Sequence, residues 1–486
     1  MAVSQSFTER TFLLDEAVNI PRRLSEYKRG DRILFVATLK ASYINVDSIG
    51  ADFVHLFEDG VSIRGALAIL EAKYGPTADL VRALGDLLVQ IDTKGFYQHA
   101  KIVEDSFESM TMLARLTNRC NLRCTHCLVS SSPDWPSENE LSTTTWCSIL
   151  EDYSKFAVEN RFAQPRVTMT GGEALFRLDA FDILARSKSL GLRTELYTNG
   201  VLVVNSRIAS KIASMTDEVQ ISFDGATAPI HDQIRGAGMF ARTLKGVRLL
   251  AEANARFRLA VVVMPMNFQD LMDNLPALVQ SIPGKFPVRL SLAIDAGRAD
   301  RSMQFASTVQ GEQKIKLLIE RLTGGGVGST RRPIPNLKTK SCGYSRELNV
   351  DSDGLVYGCG PQVHPIGNIR EESFRSIADR VVMKSRAAEV DLVEGCKDCD
   401  IRYVCGGICR VNNISRTGSA TISSCDRANK ENNIMRLFGR SSDIVPLSVL
   451  SGSVSRMSTA KAATSSSILF PVSALAGLNK IERRVE

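Results

Sequence analysis

Between residues 112 and 295, β-branched apolar runs alternate with longer stretches of helical period. The runs are MLARLT, RVTMT, LRTELYT, EVQISF, RLAVVVMP and VRLSLAI; amphipathic segments such as LDAFDILARSKSLG and FARTLKGVRLLAEANA lie between them. Six strands alternating with helices predict parallel βαβ units, hence a barrel or an open α/β sheet. In both, chemistry gathers at the C-terminal strand ends. Residues 31–97 read differently, as two or three short strands followed by three helices. Residues 301–341 form a bridge, with helical QKIKLLIERL and then a flexible loop, GGGVGSTRRP. That glycine run is no phosphate loop, because no strand feeds it and no GK[ST] follows. After about residue 440 the chain becomes Ser/Ala-rich, which predicts a mobile or loosely docked tail.

The cysteines change the picture most. Ten of the eleven fall into three spaced sets. Cys120, Cys124 and Cys127 make CxxxCxxC, and Cys342 and Cys359 flank a predicted hairpin. Cys396, Cys399, Cys405 and Cys409 follow as Cx2Cx5Cx3C, with Cys425 beyond. Thiolates bind soft metals and iron–sulfur clusters, and close spacing lets several reach one cluster. Structural zinc accounts for the last group alone, but it suits a three-cysteine set with no nearby fourth ligand poorly. Three protein ligands leave one iron of a [4Fe–4S] cluster open. The eleventh, Cys147, lies in the helix-like LSTTTWCSILEDY with Ser142 or Thr143 as cap, and reads as a small buried hydrophobe.

Composition and charge narrow the class. At 486 residues the chain is long enough for about three cores. MAVSQSFTERTFLLDE has no basic n-region or apolar h-region, so no secretory signal is predicted. No apolar run reaches the ~18–20 residues of a membrane span. CxxC spacing in a chain of this size predicts reduced thiolates in a cytoplasm. The net charge of +7 is spread thinly without Lys/Arg runs, as on a solvated surface and unlike a nucleic-acid footprint.

Several polar groups fall on one predicted rim. The three-cysteine string follows the first strand, Gly171-Gly172-Glu173 the second and Thr198-Asn199-Gly200 the third, while Ser222 and Asp224-Gly225 end the fourth. Singly these are turn signals. Together they resemble the radical S-adenosylmethionine (SAM) enzymes, in which CxxxCxxC is the cluster motif and GGE meets the methionine amino group. The resemblance spans roughly residues 112–295 and implies a partial (β/α)6 barrel within residues 106–300. It implies that Cys120, Cys124 and Cys127 hold a [4Fe–4S] cluster that chelates SAM. Gly171 and Gly172 would let the backbone approach SAM closely, and Glu173 would meet its ammonium. Ser222 and Asp224 would contact its ribose or methionine portion, and Arg235 its carboxylate.

The later cysteines resemble the SPASM extension of the same superfamily, here over residues 342–440. All seven of its positions are filled, with Gly354-x4-Cys359 in a hairpin turning at DSDG and IGNIREESF between the halves. The resemblance implies one auxiliary cluster on Cys396, Cys399, Cys405 and Cys425, and another on Cys342, Cys359 and Cys409. An eighth cysteine seen in some members is missing from RRPIPNLKTKS, so the second cluster has either an open iron or a non-cysteine ligand. Asp351 and Asp353 read as turn residues.

Residues 1–105 resemble the PqqD-like precursor-peptide recognition domain, a small winged-helix α+β fold. The matches are the hairpin into INVDSIGADFVHLFEDG, the helix ALAILEAKYG and the final LLVQIDTKGF. Such a domain implies a leader peptide added as a strand to an open sheet edge, here around Ala41–Val46. A structural cap is the alternative. DNA binding is disfavoured, because VSIRGALAILEAKYG offers only Arg64 and Lys73, with Glu71 between them.

Together the resemblances imply a radical SAM oxidoreductase that forms a 5′-deoxyadenosyl radical and oxidatively crosslinks a ribosomally made peptide. A flavodoxin or ferredoxin would be the reducing partner, with no nucleic acid or membrane involved. The alternatives are a folded protein target, as in sulfatase or quinoprotein maturation, and an iron–sulfur DNA-binding sensor.

Overall fold

The computed structural model describes residues 12–104, 110–294, 296–306, 308–323, 336–359 and 364–439. The GGGVGSTRRP loop and the Ser/Ala-rich tail lie outside them. The chain divides into two compact units. One comprises residues 1–106, 331–342 and 387–486, the other 107–330 and 343–386.

The first unit begins with an antiparallel sheet of Ser25–Arg29 (β1), Arg32–Ala37 (β2) and Ser42–Val46 (β3), in the order β1-β2-β3. Helices Ser48–Glu58 (α1), Ile63–Tyr74 (α2) and Ala78–Thr93 (α3) follow. Asp47, Ser62 and Thr77 cap them, each accepting a backbone N–H of the first turn. Ile33, Phe35 and Ala37 of β2 pack with Phe53, Leu67, Leu84 and Leu87 of the helices. The edge expected to be open, at residues 41–46, is β3, and α3 lies against it. Gln90 accepts from the Asn45 N–H at 3.0 Å and donates to the Asn45 carbonyl at 2.9 Å, as a neighbouring strand would. Val103–Glu104 (β4) ends the segment.

The second unit contains the predicted βα array. Its parallel strands are Thr111–Arg115 (β5), Arg166–Thr170 (β6), Arg193–Thr198 (β7), Glu218–Ser222 (β8), Phe257–Val263 (β9) and Val288–Leu292 (β10), adjacent in chain order. Each lies within two residues of its apolar run. Thr143–Glu159 (α4), Ala180–Ser189 (α5), Ser206–Met215 (α6), Ala228–Arg235 (α7), Met239–Glu252 (α8) and Pro265–Gln280 (α9) connect them. Trp146, Leu150, Tyr153 and Phe156 of α4 pack on Met112, Val167 and Met169 of the sheet. The opposite faces carry an ionic lattice near the strand starts: Arg166–Glu195 at 3.0 Å, Arg193–Glu218 at 3.0 Å and Arg258–Glu195 at 3.4 Å. Charges are therefore paired at one end of the strands, and the motif loops emerge at the other.

The predicted bridge helix is Thr308–Thr323 (α10). Leu337–Lys338 (β11) then pairs in parallel with β4. Glu347–Val350 (β12) adds in parallel to β5, Leu355–Tyr357 (β13) pairs antiparallel with β12, and Gly367–Asn368 (β14) completes a nine-stranded sheet. DSDG makes the β12–β13 turn, with Gly354 at φ +96°. Arg115 donates to Asp351 at 2.8 Å, so one turn carboxylate also ties this hairpin to β5. Phe374–Ala387 (α11), Arg402–Cys405 (α12), Arg410–Thr417 (α13) and Arg427–Gly439 (α14) follow. No helix among the described residues is long and apolar enough to cross a membrane.

Candidate cluster and cofactor sites

The loop after β5 carries Cys120, Cys124 and Cys127, and neighbouring backbone holds it on several sides. The Cys120 N–H donates to the Ser132 carbonyl at 3.1 Å, and Thr125 N–H to the Ile234 carbonyl at 3.0 Å. Arg298, beyond β10, donates its backbone N–H to the Cys127 carbonyl and its Nε to the Cys124 carbonyl, each at 2.9 Å. Burial pushes the Cys120 thiol up to about 12, assisted by Glu173 and the two neighbouring cysteines. Burial likewise raises the Cys124 thiol, and buried thiols of this kind need a cationic centre to ionise together, which iron supplies.

Gly171 and Gly172 end β6 against this loop. A Cβ on Gly171 would lie 2.2 Å from the Thr117 carbonyl oxygen, and one on Gly172 would lie 2.3 Å from that of Arg119. The close approach these glycines permit is thus to the cysteine loop itself, locked by Gly172 N–H to Thr117 O at 2.7 Å. Gly172→Ala is expected to destabilise the protein by about 1–3 kcal/mol and to lower iron loading, checked by thermal unfolding and iron analysis.

Glu173 is 1% exposed. Its Oε1 accepts from Thr198 Oγ1 at 2.9 Å and Leu175 N–H at 3.2 Å, and its Oε2 accepts from Asn199 N–H at 2.7 Å. Burial raises its carboxyl despite these donors. The side chain therefore pins the β6 end to the β7 end, leaving Oε2 with capacity for one more donor. Asn199, readable in the sequence only as a turn residue, places Nδ2 2.8 Å from Asn121 Oδ1 and 3.9 Å from Cys120 Sγ.

Asp224 and Arg235 come together, but with each other. Asp224 is fully buried; its Oδ2 accepts from Arg235 Nε at 2.7 Å and lies 3.0 Å from His126 Nε2, while Oδ1 accepts from Val262 N–H at 2.8 Å. Burial works to raise its carboxyl, but Arg235 and His126 hold it far below the usual range. Arg235 also reaches toward Cys124 Sγ, 3.8 Å away. The pair so occupied anchors α7 and the cysteine loop to the β8 end. Ser222, the last residue of β8, is half-buried beside them. Neither His126 nor Arg298 stood out in the sequence. The position of His126 between two cysteines was the available signal.

The C-terminal cysteines lie in the other unit, except for Cys359, which follows β13 in the barrel unit. Cys405 is pushed up to about 12 by burial and by the nearby Cys425, Cys396 and Cys399; Cys425 is raised to about 11 by burial and by Cys396 and Cys399. Asn433 Nδ2 points at Cys405 Sγ from 3.5 Å. Two buried thiols, Cys396 and Cys405, two half-buried ones, Cys399 and Cys425, and an amide donor are the donor set an iron–sulfur cluster takes. Cys409 caps α13; burial raises its thiol, the Asn412 N–H offsets this, and Cys342 raises it further. Cys147 is half-buried on α4, whose cap is Ser142. Among the described residues no three Cys, His, Asp or Glu side chains converge as the ligands of a single ion do.

Residues 115–275 match the family model of the radical SAM superfamily, and residues 342–400 match SPASM, an iron–sulfur cluster-binding domain. The chain is 28% identical over 329 residues to an AdoMet-dependent heme synthase of Methanosarcina barkeri, covering 62% of this chain and 91% of that protein. It is 26% identical over 332 residues to the PqqA peptide cyclase of Granulibacter bethesdensis, covering 65% and 86%. Among solved structures, Streptococcus suis SuiB shares the fold at a TM-score of 0.51 and 14% identity, covering 84% of this chain and 99% of SuiB.

The barrel and its cysteine loop thus form a radical SAM domain, of a family whose members are enzymes. The same chain carries a SPASM domain. It binds S-adenosylmethionine and a [4Fe–4S] cluster through the first domain and auxiliary iron–sulfur chemistry through the second.

Proposed function

We propose that this enzyme modifies a ribosomally synthesised precursor peptide, closing an oxidative crosslink within it. The observation that carries the reading is the N-terminal three-stranded sheet with three helices, joined in one chain to radical SAM and SPASM domains. Similarity to the PqqA peptide cyclase supports it. When bound, SAM and its cluster would supply the radical chemistry that takes one hydrogen atom from an unactivated carbon, and an auxiliary cluster would accept the second electron of the crosslink as its proton leaves to solvent.

The chain's own residues position and shield. Cys120, Cys124 and Cys127 hold the first cluster. Cys396, Cys399, Cys405 and Cys425 hold one auxiliary cluster, and Cys342, Cys359 and Cys409 another. Gly171 and Gly172 set the loop that presents SAM, and the remaining Glu173 lone pair faces its ammonium. Ser222 lies toward the ribose, while Asp224 acts by orienting Arg235. A flavodoxin or ferredoxin delivers electrons. The leader engages the N-terminal domain, at β3 by displacing Gln90 or at β1, the opposite edge.

Mass analysis of a short peptide encoded beside the gene and co-expressed with the enzyme tests the reading. Loss of two hydrogens mapped to one residue pair is the expected result. An unchanged peptide, with all clusters loaded, sinks it for that peptide and favours a folded protein target. A second reading follows from the heme synthase similarity. Turnover of a tetrapyrrole with no change in any peptide would establish it.

A further inference from the structure

β2 is buried on both faces. Ile33, Phe35 and Ala37 face the helices of their own domain, whereas Leu34 and Val36 pack with Tyr43 against Ile401, Cys405, Ile434 and Leu437. Within this unit the N-terminal sheet is therefore a wall of the C-terminal cysteine site. Ala41 likewise packs against Cys396 and Tyr403.

The polar contacts converge on one carboxylate. Asp400 follows Cys399 directly, and its Oδ1 lies 3.8 Å from Cys399 Sγ. Tyr27 of β1 donates its phenol O–H to Asp400 Oδ2. Lys430 of α14 pairs with Asp400 Oδ1 at 2.9 Å. Thr38 Oγ1 donates to the Asp400 carbonyl at 2.5 Å, fixing its backbone.

We propose that Tyr27, Asp400 and Lys430 are positioning residues that set the reduction potential of the cluster held by Cys396, Cys399, Cys405 and Cys425. The proposal rests on that ligand assignment. It makes the N-terminal sheet part of an electron site as well as a peptide-docking module. An added electron makes a cluster more negative, so a neighbouring carboxylate opposes reduction, and a phenol or ammonium bound to that carboxylate offsets the opposition. Lys430 and Asp400 are 40% and 30% exposed, so solvent screens part of these charges and the shifts are modest in size while their signs are kept. Deleting residues 1–105 would uncover Cys405 along with any peptide site, so point variants are the sharper probe.

The signs discriminate. Tyr27→Phe keeps the ring and removes the donor, and Lys430→Gln removes the offsetting charge; both should lower the potential of one cluster. Asp400→Asn removes the carboxylate charge and should raise it. Full-length enzyme and the three variants would be reconstituted, assayed for iron and sulfide, and titrated electrochemically with EPR detection. The expected outcome is two shifts down and one up in the same cluster signal, with the other signals fixed and iron content unchanged. Unchanged potentials in all three, or shifts of one sign throughout, would overturn the proposal. Cys405→Ala serves as the control by removing iron from the signal concerned. Full iron retention there would overturn the ligand assignment itself, a failure visible before any potential is measured.

Discussion

Cys124→Ala is expected to abolish cleavage of S-adenosylmethionine under strong reduction, with 5′-deoxyadenosine formation falling by more than about 10³-fold, about 4 kcal/mol in barrier terms. Iron content should fall by about four atoms per chain, since one [4Fe–4S] cluster is lost. The size of the effect follows from the loop. The Arg235 guanidinium beside Cys124 cannot ligate iron, the carbonyl of Cys124 is committed to Arg298, and the nearby Asp224 and His126 are engaged with each other. The other clusters should remain, so the variant keeps absorbance from iron–sulfur charge transfer while losing turnover. Cleavage surviving at a tenth of the wild-type rate or more would sink the assignment of this loop as the catalytic cluster site.

Asp224→Ala should have the largest effect on stability, about 3–5 kcal/mol. The carboxylate receives three donors while fully buried, and its removal strands Arg235, itself only 8% exposed, as an unpaired buried cation. Thermal unfolding of the barrel and iron retention together measure this. Asp224→Asn, which keeps an acceptor for the Val262 N–H, should lose less. Because Arg235 and His126 depress the Asp224 carboxyl, its stabilisation is full above about pH 4, the unfolded value, and is lost only as pH falls through the lower folded value. A stability equal to wild type in Asp224→Ala would mean that the Arg235 charge finds another partner.

What was legible in the sequence was what repeats locally. Each barrel strand is a run of five to seven residues whose apolar pattern carries its own signal, and β5 to β10 lie where those runs are. The cysteine sets were legible because their spacing is short. The partners of Glu173, Asp224 and Asp400 were not, since Thr198, Arg235 and Tyr27 are set by tertiary folding and by no period. β2 did contain a clue: ILFVA, residues 33–37, is a continuous apolar run, as expected of a strand covered on both faces, and the second cover proved to be the C-terminal cysteine segment. The closure of β3 by Gln90 had no comparable signal, because a glutamine on an amphipathic helix ordinarily faces solvent.

The parallel pairing of β12 with β5 has a consequence for how the chain is made. The first barrel strand, complete by residue 115, waits for residues 347–350 before its outer edge is paired. During synthesis that edge stays exposed while more than two hundred further residues emerge, a long-range closure of the kind that folds slowly and invites sticking to other chains. A transcript cut before residue 347 would therefore yield a barrel with one raw edge. Production in cells should depend on chaperone capacity and on slow, cool expression more than on iron supply alone.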